Sequence, residues 1–459
     1  MRWIMPWNRW YSLKSYVSSA LWVVPLFALI VALVVKRLSE KLGGWMVKQG
    51  FYDLKTGFYA LDPAEAQAVL DRVFTMNLSF LVFTFGSLLV AIQVAGGQYT
   101  PRIIATTLLR DNVIRNIVGL FVFTLLWANR TMIQISDTMV PQFQVFLTMM
   151  FGLFSLVAFL LLIDYAARLL RPVSLVARVG KSGIAVIESV YPQVTRGAIA
   201  PPPPAPKRKW GLLSWGSRDV AAAAPAATKR GPPERTVYIH GDSGIILAVN
   251  MPALIAEAQR ADCIVELVPQ MGDFVAVDDP LFYVYGNAGA IDDRRLRELV
   301  AFGTERTMEQ DPLFAFRILV DIALKALSPA INDPTTAVLA IDQLHRLLRM
   351  VGLRSLRTDE FSDYSGHLRL IYRTPNWENF VHITFREIRQ CGANSLQVVR
   401  RLRAMIENLT QTLPEQRHAV LREELDLLDR AVGRHFSFRE DLALARIPDA
   451  QGLGGSVRK

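Results

Sequence analysis

The sequence predicts an α-helical membrane protein with four transmembrane helices and a cytosolic α+β domain, in which a small β-barrel-like module precedes a helical bundle. Three observations carry this. Long uncharged apolar runs are confined to the residues before 172. The charge is divided, with 25 Lys and Arg against 11 Asp and Glu in residues 1–235, and 26 against 30 in 236–459. A Pro- and Ala-rich stretch separates the two parts. At 51% hydrophobic and 20% charged, the 459 residues are too apolar for a disordered protein. Two cysteines, Cys263 and Cys391, exclude a disulfide-stapled secreted domain and leave no Cys-based zinc site, so two buried free thiols are expected.

The spans come first in the chain. Val17–Val35, Val73–Ala95 and the stretch between Asp137 and Asp164 carry no charge, and each approaches or exceeds the ~20 residues that a helix needs to cross a bilayer. The stretch between Arg115 and Arg130 is shorter and is extended to Gln134, with both arginines reaching toward the interfaces. The first run exceeds a cleavable signal and is expected to stay as an anchor. Trp3, Trp7, Trp10, Tyr11 and Trp22 at its start read as an interfacial aromatic belt. Lys and Arg are more numerous in the segments that face inward if the N-terminus does. This places both termini in the cytoplasm for a multi-pass membrane protein. Asn77, Thr84, Ser87 and Ala91 share one helical face, either a polar stripe along a pore or a helix–helix interface. Asp164 and Arg168 are spaced for a local ion pair. The loop from Gly96 through Gln98, Tyr99, Thr100, Pro101 and Arg102 to Asp111 has the Gly and Pro content of a specified turn, and Ile103–Leu109 within it is an amphipathic patch.

Residues 197–235, with Pro201–Pro204 and the basic clusters at Lys207–Lys209 and Lys229–Arg230, have the composition of a disordered linker. It reads as a soluble tether, or as a segment binding anionic lipid, for which Trp210 and Trp215 are suited. Residues 236–290 alternate strands with tight turns. Asn250 is placed to cap a short helix, and the phrase Gly272-Asp273-Phe274-Val275 before Pro280-Leu281 looks like the small barrel of biotinyl- and lipoyl-type domains. No lysine lies in this segment to be modified, so a docking module is expected. From 291 to 445 the periodicity is helical, over Phe314–Leu327, Thr335–Met350, Phe380–Ile388, Ser395–Leu409 and Pro414–Val432. Asp321 and Lys325 are spaced as an ion pair, Thr412 to Glu415 reads as a capping box, and 446–459 as a flexible tail.

Two acidic clusters invite chemistry. Glu305, Arg306 and Asp311 form one, and Asn332 with Asp333 the other. Oxygen donors of this kind would suit a hard metal or a phosphate-bearing ligand. The alternative is local, because Asp311-Pro312 and Asp333-Pro334 each set a capping Asp before a first-turn Pro. The six histidines show no paired ligand spacing and no nucleotide-binding or hydrolase motif is present, so no metal, cofactor or catalytic residue is assigned.

Gln98-Tyr99-Thr100-Pro101-Arg102 with Asp111, Glu305-Arg306-Thr307 with Gln310-Asp311, and Ala326-Leu327-Ser328-Pro329-Ala330-Ile331-Asn332-Asp333-Pro334 resemble three signatures of the bacterial membrane-protein family catalogued as domain of unknown function 2254. Thr100 departs from that family's serine. The resemblance implies a four-helix membrane section (1–196) plus a cytosolic domain, with the linker as an insertion, and implies no activity. The functional expectations are an oligomeric channel or transporter-like protein gated by its cytosolic domain, a membrane-anchored scaffold or sensor binding a cytosolic partner, and a membrane enzyme using Glu305, Asp311, Asn332 and Asp333. The expected partners are the lipid bilayer, further copies of the chain and a cytosolic protein. Nucleic acid is not among them, since the positive charge sits at the membrane flanks and linker.

Overall fold

The computed structural model describes residues 6–20, 22–48, 61–98, 111–136, 140–169, 171–194, 231–356 and 359–454. The loop residues Tyr99, Pro101 and Arg102, the Gln98 side chain, the patch Ile103–Leu109, Trp3, and the linker with Trp210 and Trp215 lie outside what is described.

Among the described residues, six helices open the chain: α1 (Trp7–Ser19), α2 (Val23–Lys48), α3 (Pro63–Gln98), α4 (Asn112–Met132), α5 (Gln142–Leu169) and α6 (Pro172–Val190). Among the described residues, three stretches, Pro63–Gln93, Asn112–Met132 and Gln142–Arg168, are long and apolar enough to cross a membrane. The expected first span, Val17–Val35, is not one helix, because α1 ends at Ser19 and α2 opens at Val23. Pro25 supplies the reason. It falls in the first turn of α2, where its missing N–H is harmless, whereas a helix running on from Val17 would place it in the interior. The late start leaves α2 a shorter apolar stretch before Lys36 and Arg37. Even so, α2 packs along α4. A Cβ added to Gly119 would stand 2.9 Å from Val24 Cγ1, so the two backbones approach closely there. Arg115 is buried at the start of α4 rather than extended to an interface, while Arg130 is exposed.

Helix α1 does not contribute to that bundle. It lies against the sheet-containing half, where Trp7 and Tyr11 pack with Leu247, Ala248 and Ala301, and the Tyr11 hydroxyl donates to Glu309. The expected aromatic belt is therefore divided. Trp7 and Tyr11 face protein, while Trp10 and Trp22 are half exposed.

The sheet-containing half begins with β1 (Arg235–Tyr238), β2 (Gly244–Val249), α7 (Met251–Ala261), β3 (Ile264–Leu267), β4 (Phe274–Val275), β5 (Pro280–Tyr285), α8 (Asp293–Glu298) and β6 (Val300–Gly303). Asn250 caps α7 by accepting from the Ala253 N–H at 3.2 Å. Helices α9 (Pro312–Ala326) and α10 (Pro334–Gly352), strands β7 (Glu360–Ser362) and β8 (Leu368–Tyr372), and helices α11 (Trp377–Gly392), α12 (Leu396–Thr412), α13 (His418–His435) and α14 (Arg439–Ala445) complete it. The strands form two sheets, ordered β1-β5-β3-β8-β7 and β4-β2-β6. A small barrel closing within 236–290 is not what they make. β3 pairs in parallel with β8, which the chain delivers only after two long helices, and β2 pairs with β6. A parallel partner needs a long crossover, so it cannot come from the adjacent turn.

Several local expectations are also revised. Asp321 receives a hydrogen bond from Arg317 at 2.6 Å rather than pairing with Lys325. Thr412 closes α12 by donating to the Asn408 carbonyl, and Pro414 starts a short 3-10 turn with no side-chain cap, so no capping box forms there. The capping box is at Asn376 and Asn379, at the start of α11. Cys263 is buried as expected, but Cys391 is exposed. Residues 446–454 are fastened to α12, with Arg400 donating to the Ile447 carbonyl at 3.0 Å and Gln397 to that of Gly452 at 2.6 Å.

One hydrophobic core runs through both halves. Leu88, Ile114, Val118, Phe121 and Leu162 of the candidate spans are continuous, through Leu175, Val179 and Ile187 of α6, with Phe314, Ile318, Leu344 and Phe380. The spacing of Gly180 and Gly183 sets both on one face of α6. A Cβ at Gly183 would meet Ala315 Cβ at 2.9 Å and Leu347 at 3.1 Å, and one at Gly180 would strike Gln343. Small residues thus let α6 lie directly on α9 and α10.

Candidate functional site

The described signature residues occupy three separate places. The first is the junction between the spans and α6. Asp111 caps α4, its Oδ1 accepting from the N–H groups of Val113 (2.9 Å) and Ile114 (3.4 Å). Its Oδ2 accepts from Arg178 of α6 at 2.6 Å and from the Tyr165 hydroxyl of α5, and Arg178 also donates to Tyr165 Oη at 3.1 Å. One buried carboxylate therefore ties three helices. Burial by itself would raise the Asp111 pKa, but the hydrogen bonds from Tyr165, Arg178 and Val113 outweigh it and hold the group below the usual carboxylate value.

The second place is the seam between the strands and α9. Asp311 caps α9 by accepting from the Phe314 N–H at 3.1 Å. Its Oδ2 is buried, accepts no hydrogen bond, and lies 3.5 Å from Arg306 Nε. Both groups press on Gly272, where an added Cβ would fall 2.3 Å from Arg306 Nε and 2.5 Å from Asp311 Oδ2. Gly272 has φ +81°, so this turn needs glycine for its conformation as well as for space. Burial pushes the Asp311 carboxyl up to about 6, against the pull of Arg306. Tyr191 and Tyr372 are raised too, chiefly by burial and then by neighbouring negative charge, including that of Asp311. Glu305, next to Arg306 in sequence, is exposed, whereas Asp311 is buried.

The third place is the turn between α9 and α10. Asn332 sits in the left-handed region at φ +48°, and Asp333 caps α10 by accepting from the Thr336 N–H at 3.0 Å and from its hydroxyl. The Asp333 N–H returns to the Ala326 carbonyl at 2.8 Å. This signature closes one helix and opens the next. Asp311 and Asp333 cap successive helices from opposite ends of α9, about 22 Å apart at 1.5 Å per residue. Glu305, Asp311, Asn332 and Asp333 therefore do not converge on one pocket. Among the described residues, no group of three or more His, Cys, Asp or Glu is placed to hold a metal ion.

Within the bundle, Asn77 and Thr84 are buried among the chain's own helices, while Ser87 is turned out and donates to the Thr84 carbonyl. Asn77 Nδ2 donates to the Val73 carbonyl at 2.9 Å. Phe80 stacks on Phe159 at 4.1 Å between centroids, with Phe121 against both. One turn along from these rings, in the same direction, are Asn77, Ser155 and Thr124, the last two 3.2 Å apart. Farther along lies a group that the sequence reading took only as a flanking charge. Lys36 of α2 is buried, donates to Thr131 Oγ1 at 2.8 Å and to Gln144 Oε1, and stands 5.0 Å over the Trp127 ring. Its place at the end of an apolar run was visible; the Thr and Gln that receive it come from two other helices. Arg178, Tyr165, Tyr191 and Tyr372 likewise carried no local signal.

The chain is 22% identical over 454 residues to uncharacterized proteins of Mycobacterium bovis (Mb1321c) and of Mycobacterium tuberculosis (Rv1290c), covering 95% of this chain and 81% of each relative. No solved structure matches. The family described as predicted membrane protein, DUF2254, matches residues 18–408, so the chain belongs to that family of membrane proteins.

Proposed function

We propose that this is a four-span protein of the bacterial inner membrane, with both termini in the cytosol, that serves as a membrane-anchored sensor or scaffold whose cytosolic half follows the arrangement of its membrane helices. The observation that carries this reading is the shared core, in which span residues such as Val118 and Phe121 belong to the same cluster as Phe314 and Phe380. Two packed regions that share a core do not move independently, because interiors are close-packed and transmit strain. In this reading α2 is the fourth span. Its packing along α4 and its exposed Leu26, Phe27, Ile30, Leu33 and Val34 support that. The position of α1 against the soluble half supports it as well, since an even number of crossings returns the chain to the side on which it began. The inward excess of Lys and Arg supports the cytosolic side.

The burial of Asn77 and Thr84 inside the chain favours a packing role for them over a pore lining. The purified full-length protein in proteoliposomes is therefore expected to pass no ions, and to bind a cytosolic protein through residues 236–290. Sustained ion flux would overturn the reading. A second reading, an oligomeric channel or transporter gated by the cytosolic half, is favoured by Lys36, since a buried cation among membrane helices commonly marks a transport path. It requires flux that K36M abolishes while leaving the fold intact, and a mass above that of one chain.

A further inference from the structure

We infer that α1 is an interfacial helix whose Trp10, Leu13 and Val17 edge is seated in the anionic surface of the bilayer leaflet next to the soluble half. The inference rests on the reading above only for the presence of a membrane around the spans. On a helical wheel, Trp7 and Tyr11 form one apolar strip, and Trp10, Leu13 and Val17 form a second, displaced by roughly a quarter-turn. The first strip is used, packing on Leu247, Ala248 and Ala301. The second is open, with Trp10 51%, Leu13 48% and Val17 37% exposed.

Three features identify the bilayer as its occupant. The strip is continuous in the chain with the exposed apolar face of α2, which begins at Val23, four residues after α1 ends, with Trp22 half exposed between them. The charge is complementary, since α1 contains Arg9 and Lys14 and no acidic residue. Lys14 lies 5.2 Å over the Trp10 ring, at the edge of the apolar strip where an interfacial cation reaches lipid phosphates. Because its other strip is held by the sheet and by the Tyr11–Glu309 hydrogen bond, a helix so placed couples the depth of the membrane surface to strands β2 and β6.

The test uses spin labels on the full chain in a C391S background, reconstituted in phosphatidylcholine nanodiscs with and without phosphatidylglycerol. Labels at L13C and V17C are expected to collide more with oxygen than with a water-soluble nickel chelate. Labels at N8C and S12C, on the remaining face, should show the reverse. Adding phosphatidylglycerol should draw the Leu13 label deeper, and the double variant R9Q/K14Q should lose that response while keeping the fold. Labels at 13 and 17 that are accessible to the nickel chelate would overturn the proposal. So would labels shielded from both reagents, since protein would then cover the strip. Ion flux in proteoliposomes would sink the sensor reading and leave this depth measurement unaffected, so the two failures are distinguishable.

Discussion

Asp111 and Asp311 are built from the same parts and meet opposite fates. Each is a buried aspartate that caps a helix with one oxygen and turns the other toward an arginine. At the junction, Asp111 receives Arg178 and the Tyr165 hydroxyl, and its carboxylate is fully used. At the seam, Asp311 Oδ2 receives no hydrogen bond, and Arg306 stands 3.5 Å away with part of its side chain exposed. Hydrogen bonds to the charged form lower a carboxyl pKa and burial without them raises it, so one group is held down and the other is pushed up to about 6. The junction is thus fastened electrostatically. The seam carries an under-satisfied charge beside a turn that only glycine fits.

The comparison is broken most directly at Asp111. D111A should cost about 2–3 kcal/mol of stability, since it removes a cap and strands a partly buried arginine, with some relief because Arg178 is a third exposed. Thermal melts in detergent would measure it, and a loss below that of a bare cap would dissolve the contrast. G183L, on the face of α6 that packs on α9 and α10, should cost roughly 2 kcal/mol by overpacking against Ala315 and Leu347. Hydrogen exchange should then rise in α6, α9 and α10 together; a rise in α6 alone would separate the two halves.

The pH dependences sharpen the contrast and carry opposite signs. Between about pH 4 and 6 the folded protein keeps on Asp311 a proton that the unfolded chain has released, so this group's contribution to stability falls as pH rises through that window. D311N should flatten that segment of the stability curve while keeping the cap. For Asp111, whose folded pKa is depressed, stability is present above the unfolded value near 3.8 and is lost as pH falls through the lower folded value. D111N should remove that acid limb and leave the segment above it unchanged. The smallest effect belongs to the third cap, Asp333, which has no arginine partner among the described residues. D333A should cost about 1 kcal/mol, with D333N close to wild type.

Much of this was legible in the residues because it depends on near neighbours. Apolar runs mark α3, α4 and α5, and Asp-Pro pairs mark the caps of α9 and α10, because a span needs continuous apolar length and a cap needs only the next three N–H groups. The bland reading of Asp311 and Asp333 as caps is what the structure displays. The first apolar run was harder to read. Its length was plain, but the break before Pro25 depended on where a helix could tolerate a missing N–H, and the sheet that holds Trp7 and Tyr11 lies more than two hundred residues away in sequence.

The sequence by itself determined that three long apolar runs precede a part with strands and helices, and that Asn250, Asp311 and Asp333 open helices, since each is a property of a short window. The tertiary structure alone decided that α1 packs on the sheet-containing half, that β3 takes β8 as its partner, that Lys36 is received by two other helices, and that one signature aspartate is satisfied while another is not. Those outcomes depend on groups brought together from distant parts of the chain, and burial and hydrogen bonding between such groups have no local signature.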